Sequence, residues 1–197
     1  GGAILNNYHG IVVMTHLEWV SSRPFNQVIP DLTSGYSELI ALLTQKGVSR
    51  VHVACASSSF HSVRRVGLFV DMAVSAGFSK TDILIHDDDD DVGGDFGRRS
   101  GQKAAKEILA SDNNPAIFSP SDFMAFGIMD VMLAKGKTPG KDFLLGSFDN
   151  IEAEGMLPFK KPILTSVDYP KKEISVASAR LVERLLLDND GCSHITR

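Results

Sequence analysis

Short apolar runs alternate along this chain with longer segments of helical period. Gly10-Ile11-Val12-Val13-Met14 and Asn26-Gln27-Val28-Ile29 read as strands, as do 50–54, 81–85, 116–118, 143–148 and 163–167. In 33–46, Leu39, Leu42 and Leu43 share one helical face, and Gly47 stops the helix. Segments 63–75, 101–110 and 123–133 also read as helices, and 171–187 is a long one with Pro170 near its start. This alternation predicts an α/β fold: a mostly parallel sheet with helices on both faces. No internal repeat is present, and the only biased stretch is the aspartate run at 87–91.

The stretch "PAIFSPSDFMAFGIMDVM" at 115–132 holds a small polar knot between an apolar strand and a mostly apolar helix. Ser121 or Asp122 can cap that helix. In an open α/β sheet, the point where a strand enters a helix is also where ligands bind. Both readings stand on the local pattern.

Composition narrows the classes. A net charge of −4 argues against a strong nucleic-acid binder in this segment itself. No apolar run approaches the roughly 18–20 residues that span a bilayer. The N-terminal "GGAILNNYHGIVVM" has no basic region before its apolar part, so it is a poor export signal and reads as a chain entered part-way through a domain. Cys55 and Cys192 lie far apart, without a disulfide framework, which points to a reducing, cytoplasmic setting. Cys55 follows an apolar run and reads as a buried small hydrophobe.

Several motifs dissolve on inspection. Gly136-Lys137-Thr138 lacks the upstream glycine of a phosphate loop and follows a helix instead of opening one. Asp95-Phe96-Gly97 has no accompanying kinase signatures, and Ser57, Ser58, Ser59 and His61 lack a nucleophile turn. His86 and the aspartates after it cannot converge on one metal ion, because successive side chains of an extended chain point to opposite sides. That run reads as a solvated loop. What remains is a set of polar residues just beyond strand ends: Ser121 and Asp122, Asp149 and Asn150, Asp95 and Phe96, with Arg64 opening a helix. Carboxylate and guanidinium groups hydrogen-bond adjacent hydroxyls, and an aromatic face covers a sugar ring. No nucleophile–base pair accompanies them, so binding of a polyhydroxylated ligand is expected rather than catalysis.

Six segments in order carry a resemblance: "PDLTSGYSELIALLTQKGVSRVHVA", "RRVGLFVDMAVSAGF", "GGDFGRRSGQKAAKEIL", "PAIFSPSDFMAFGIMDVM", "LLGSFDN" and "PILTSVDYPKKEISVASARLVERLL". Together they resemble the effector-binding core of the LacI/GalR family of bacterial transcription repressors, nearly end to end from Gly10. The resemblance implies a two-lobed, periplasmic-binding-protein-like fold with parallel sheets flanked by helices. It implies an incomplete N-terminal lobe at 1–86, a C-terminal lobe at 87–165, and a crossover with a C-terminal helix at 166–197, whose final strand after His194 looks cut. It places the effector-binding arginine on Arg64, the ring-stacking aromatic on Phe96, and further effector contacts on Ser121, Asp122, Asp149 and Tyr169.

The departures bear on the ligand. Ser121 stands where the family has an asparagine, Tyr169 where it has a glutamine, and Ser147 where it has a glycine, with Gly146 one position early. The resemblance also implies a homodimer with contacts at Phe126, Met156 and Leu157. It implies a small-molecule effector, carbohydrate by class, no cofactor or metal, no membrane, and operator DNA bound only through a helix-turn-helix absent from this segment. The alternative is a periplasmic sugar-binding protein of a transport system, which shares the architecture.

Overall fold

The computed structural model describes residues 10–15, 18–21, 25–88, 95–188 and 195–196. Their elements, in order, are β1 (Val13–Met14), β2 (Asn26–Val28), α1 (Thr33–Gln45), β3 (Val51–Cys55), α2 (Phe60–Ser75), β4 (Ile83–Asp87), α3 (Arg98–Ser111), β5 (Ala116–Phe118), α4 (Asp122–Ala134), β6 (Leu144–Asp149), β7 (Thr165–Asp168), α5 (Lys171–Asp188) and β8 (Ile195–Thr196). Single 3-10 turns lie at Lys80–Asp82 and Ile151–Glu154. The α/β class read from the pattern is the class observed.

The chain divides into two compact units: Leu32–Tyr169, and the segments up to Asp31 and from Pro170 together. The divisions thus fall beside Leu32 and Tyr169, where the sequence reading places them after 86 and 165. The reason is the sheet. β3 hydrogen-bonds β4 on one side and β5 on the other, so a cut after 86 would sever a continuous ladder. In the smaller unit, β1, β2 and β8 pair in parallel in that order, and α5 packs on β1 and β2.

The larger unit is a five-stranded parallel sheet in the order β4-β3-β5-β6-β7. Parallel strands need crossovers, and α1 to α4 supply helices that cover both faces. Alternation along β5 shows how. Phe118 faces an aromatic core with Tyr36 of α1, Phe69 of α2 and Phe148 of β6, with Phe69 stacked on Phe118 at 4.0 Å. Ile117 faces the other way, into a cluster with Ala104 and Ile108 of α3 and Met124, Ile128 and Met129 of α4.

Two helices start earlier than their apolar period suggests, and polar side chains explain both. Ser59 accepts from the Ser62 N–H at 3.4 Å and caps α2 at Phe60, three residues before Val63. Asp95 accepts from the Gly97 and Arg99 N–H groups, each at 3.2 Å, so α3 begins at Arg98.

Helix α4 is buried nearly all round, and the cover lies within the chain. The sequence reading expects a second chain to cover it, with Phe126 in the contact. Instead Phe126 is 2% exposed and packs edge-on against Phe123 at 6.2 Å and Phe159 at 5.9 Å. On another side α3 crosses so closely that a Cβ on Gly101 would strike the Met124 carbonyl, and one on Gly127 the Arg98 carbonyl. Arg98 then grips Asp130 through Nε and Nη2, both at 2.8 Å, and Gln102 adds a third bond at 3.1 Å. Met156 and Leu157, by contrast, are 49% and 39% exposed. Among the described residues no helix is long and apolar enough to cross a membrane.

Candidate functional site

In this strand order the chain reverses its direction of winding between β3 and β5. The loops leaving those two strands diverge and open a crevice at the carboxyl edge of the sheet. A cavity of about 470 Å³ lies there, within the size range of small-ligand sites. Ala56 lines it from the end of β3, Pro120 and Ser121 from the end of β5, and Asp149 from the end of β6.

The loop after β3 is held by its own polar groups. The Ser57 N–H donates to Asp87 at 2.9 Å, and the Ala56 N–H donates to the buried Ser62 hydroxyl at 2.9 Å. This brings the first turn of α2 to the cavity with His61 and Arg65. Arg65 is the cation of the site. Its Nη1 lies 2.9 Å from Asp149 Oδ1 and donates to the Pro120 carbonyl at 2.9 Å. Its guanidinium carbon sits 4.1 Å from the centre of the Phe148 ring. Three groups, two on β6 and one in the turn after β5, thus fix one guanidinium, and Asp149 is fixed with it.

The backbone at two of these positions is strained. Asp149 has φ of 112° and the following Asn150 has φ of 51°. Phe96 has φ of 54°. Side-chain-bearing residues rarely adopt such values, and they gather at functional sites where the surroundings hold them. Phe96 is 73% exposed and stacks on Phe123 at 5.0 Å. An exposed ring supported from behind is a platform for the apolar face of a ligand.

The residues singled out from sequence fall into two groups. Phe96, Ser121 and Asp149 line the cavity together. Arg64, Asp122 and Tyr169 do not. Arg64 is exposed and lies outside the lining; the neighbouring Arg65 occupies that place. The buried stripe of α2 is Ser62, Val66, Phe69 and Ala73, and Arg65 continues it at helical spacing while Arg64 does not. That period was available in the sequence. Matching the spacing to Gly67 alone selects Arg64, which the structure leaves outside the cavity.

Asp122 is fully buried and turned away from the cavity. Its Oδ1 accepts from Ser147 at 2.5 Å and Ser166 at 2.7 Å, and its Oδ2 accepts from the Ile151 N–H at 2.8 Å. Burial pushes its carboxyl above the usual carboxylate range, against the pull of those donors. Asp122 therefore ties α4 to the ends of β6 and β7. Ser147, in place of the family's glycine, is one of its donors. Ser121 caps α4, accepting from the Met124 N–H at 3.3 Å, and also lines the cavity, so the cap reading of the polar knot holds and does not compete with the other. Tyr169 is 8% exposed and meets the edge of Phe148 at 6.1 Å, behind the ring that Arg65 covers. Sequence reasoning also missed Phe123, which looked like one more core residue of an apolar helix.

At its first two residues the acidic run departs from its reading as a solvated loop. Asp87 ends β4, and Asp88 is buried and bonded to Lys103 at 2.8 Å. Residues 89–91 lie outside the described residues, as do Gly93, Gly94 and Cys192. Cys55 is buried, and burial raises its thiol pKa, which keeps it protonated and inert. Among the described residues, no three histidine, cysteine, aspartate or glutamate side chains gather to hold a metal ion.

Comparison with known proteins places this geometry. Residues 40–195 match the periplasmic binding protein-like domain family. "Probable HTH-type transcriptional repressor ExuR" of Bacillus subtilis is 34% identical over 96 residues, covering 48% of this chain and 28% of that protein. The PurR repressor of Vibrio cholerae is 34% identical over 94 residues, covering 47% of this chain and 27% of that protein. The match thus spans little more than a quarter of these relatives' length. A crystal structure of a LacI family transcriptional regulator from Enterococcus faecium, with bound ribose, superposes with a TM-score of 0.73 at 20% identity, over 94% of this chain and 65% of that one. A cavity at the winding reversal of a parallel sheet, in a chain matched over most of its length, leads to one assignment: this chain belongs to the periplasmic binding protein-like domain family.

Proposed function

We propose that this chain is the ligand-sensing core of a bacterial transcriptional regulator. It binds a small polyhydroxylated molecule, a sugar or sugar derivative, and modulates DNA binding made through another part of the full protein. The observation that carries this reading is the fixed Arg65–Asp149 pair beside the exposed Phe96 ring. The pair supplies a charge-assisted donor and an acceptor for neighbouring hydroxyls, and Phe96 covers the apolar ring face. Ser121 adds a hydroxyl where the family has an amide. The ribose bound to the Enterococcus faecium regulator supports the carbohydrate class. Binding shifts a pre-existing equilibrium between conformations of the regulator rather than driving a reaction. In this reading the protein works in the cytoplasm, takes no cofactor, and dimerises through the exposed Met156 and Leu157.

The test is calorimetric titration of pentoses, hexoses and their acids against the wild type and against Arg65→Ala, Phe96→Ala and Arg64→Ala. Loss of charge-assisted bonds of about 1.5–3 kcal/mol predicts affinity down roughly tenfold or more for Arg65→Ala. Arg64→Ala binds within about twofold of wild type, a difference of under ~0.5 kcal/mol. Equal affinity for wild type and Arg65→Ala removes the cavity from the binding site.

A further inference from the structure

Away from the cavity, two imidazoles meet on neighbouring strands. His52 of β3 and His86 of β4 face each other, Nδ1 to Nε2, at 2.9 Å, with ring centres 5.2 Å apart. Each turns its other nitrogen to a carboxylate. His52 Nε2 lies 3.3 Å from Asp112 Oδ2, and His86 Nδ1 lies 3.3 Å from Glu107 Oε2. The chain Asp112–His52–His86–Glu107 therefore joins two strands to the C-terminal part of α3 and the residue that ends it.

Counting protons decides what this chain is. Ionised carboxylates only accept, so both outer contacts need an imidazole N–H. Two neutral rings carry two N–H groups, and the outer contacts use both. The facing nitrogens would then be lone pair against lone pair. The central contact needs a third N–H, and a fourth would set N–H against N–H. The chain is complete with one proton beyond those of two neutral rings, and with neither fewer nor more.

We propose that His52 and His86 form a binding site for a single proton, which when filled clasps α3 to the β3–β4 edge of the sheet. The His52 side chain is 1% exposed and that of His86 15%. Burial lowers the His52 pKa, so His52 stays neutral as the Nε2–H tautomer, donating to Asp112 and accepting from His86. The charged groups on the surrounding elements are few. Arg50, just before β3, opposes charge on His52 and lies 3.8 Å from Asp82. Asp87 accepts from Ser57, and Asp88 holds Lys103 of α3. Lys106 of α3 is exposed, Asp112 also accepts from the Asn114 N–H at 2.8 Å, and β5 brings no titratable group.

The sign of the linkage follows. Above the ordinary imidazole value of about 6.5, the unfolded chain has lost both histidine protons while the clasp keeps one, so stability falls as pH rises. Below it, the unfolded chain binds two and the clasp only one, so stability falls as pH drops. The contribution of the pair is bell-shaped.

Amide substitution separates the clasp from ordinary packing. In Asp112→Asn the side-chain N–H donates to His52 Nε2; His52 Nδ1–H then donates to His86 Nε2, and His86 Nδ1–H to Glu107. In Glu107→Gln the order reverses. Either variant completes the chain with two neutral rings and no extra proton. The experiment uses the full chain: urea-unfolding midpoints and imidazole ¹⁵N spectra from about pH 5 to about pH 8. The wild type is expected to show one doubly protonated ring and one Nε2–H ring, with midpoints that peak and decline on both sides. The two variants are expected to show rising midpoints that level off, with both rings neutral at the plateau. A wild-type profile that parallels the variants, or two rings titrating independently, would overturn the proposal.

Discussion

Burying the Asp122 carboxyl group is costly unless its oxygens are met by donors, and three donors meet them here. Asp122→Ala leaves two hydroxyls and one N–H without that acceptor, at about 1–3 kcal/mol each, so a loss of at least ~3 kcal/mol is expected in chemical denaturation. A loss below about 1 kcal/mol would show that the donors find other partners. Asp130 behaves in the opposite sense. The hydrogen bond from Arg98 holds its carboxyl below the usual range, against partial burial. Its stabilising contribution is present above the unfolded carboxylate value of about 3.9 and is lost as pH falls through the lower folded value. Comparing wild type with Asp130→Asn across acid pH should show a stability difference that is full near neutrality and shrinks in acid. A difference independent of pH would remove the ion pair as its cause.

At the scale of elements, the α3–α4 crossing depends on two glycines. Gly101 and Gly127 each stand where a Cβ would strike backbone, which has no freedom to move aside. Gly101→Ala is expected to cost about 1–3 kcal/mol or more through overpacking. Gly67 is the control: it lies within α2, and a Cβ there meets nothing within 4 Å. Gly67→Ala should raise stability by about 0.5–1 kcal/mol, because alanine loses less backbone entropy in a helix. Thermal melts of both variants check the pair; equal shifts would mean that the close crossing carries no energy. Gly146 is a milder case, facing a side chain instead of backbone. A Cβ there would meet Leu39 of α1, which places a glycine at this position of β6 and leaves the next one for Ser147.

At the scale of the whole molecule, assembly is the open prediction. Phe126 is a core residue, so Phe126→Glu is expected to unfold the domain, at several kcal/mol for a buried unpaired charge, rather than release folded monomers. Met156→Glu and Leu157→Glu change exposed positions and should leave the fold intact within about 0.5 kcal/mol. If the proposed dimer forms there, sedimentation of the double variant shows monomers where wild type shows dimers. Identical sedimentation would place the contact elsewhere.

Much of this structure was legible in the chain itself. The alternation of strand and helix, the parallel sheet, and the handover from β5 to α4 are local properties, set by period, caps and turn residues within a few positions. That Ser121 and Asp149 lie at strand ends and Phe96 just before a helix was legible for the same reason. Tertiary structure decided the rest, because it depends on distances that no local pattern encodes. It brought Arg65 against Asp149, Phe148 and the Pro120 carbonyl, partners that lie 55 or more residues along the chain. It turned Asp122 inward because Ser147 and Ser166 arrive from strands far along the chain. It covered α4 with α3 and Phe159 instead of a second chain. It also joined His52 to His86, 34 residues apart, because parallel pairing sets β4 beside β3 in a register that brings the two rings together.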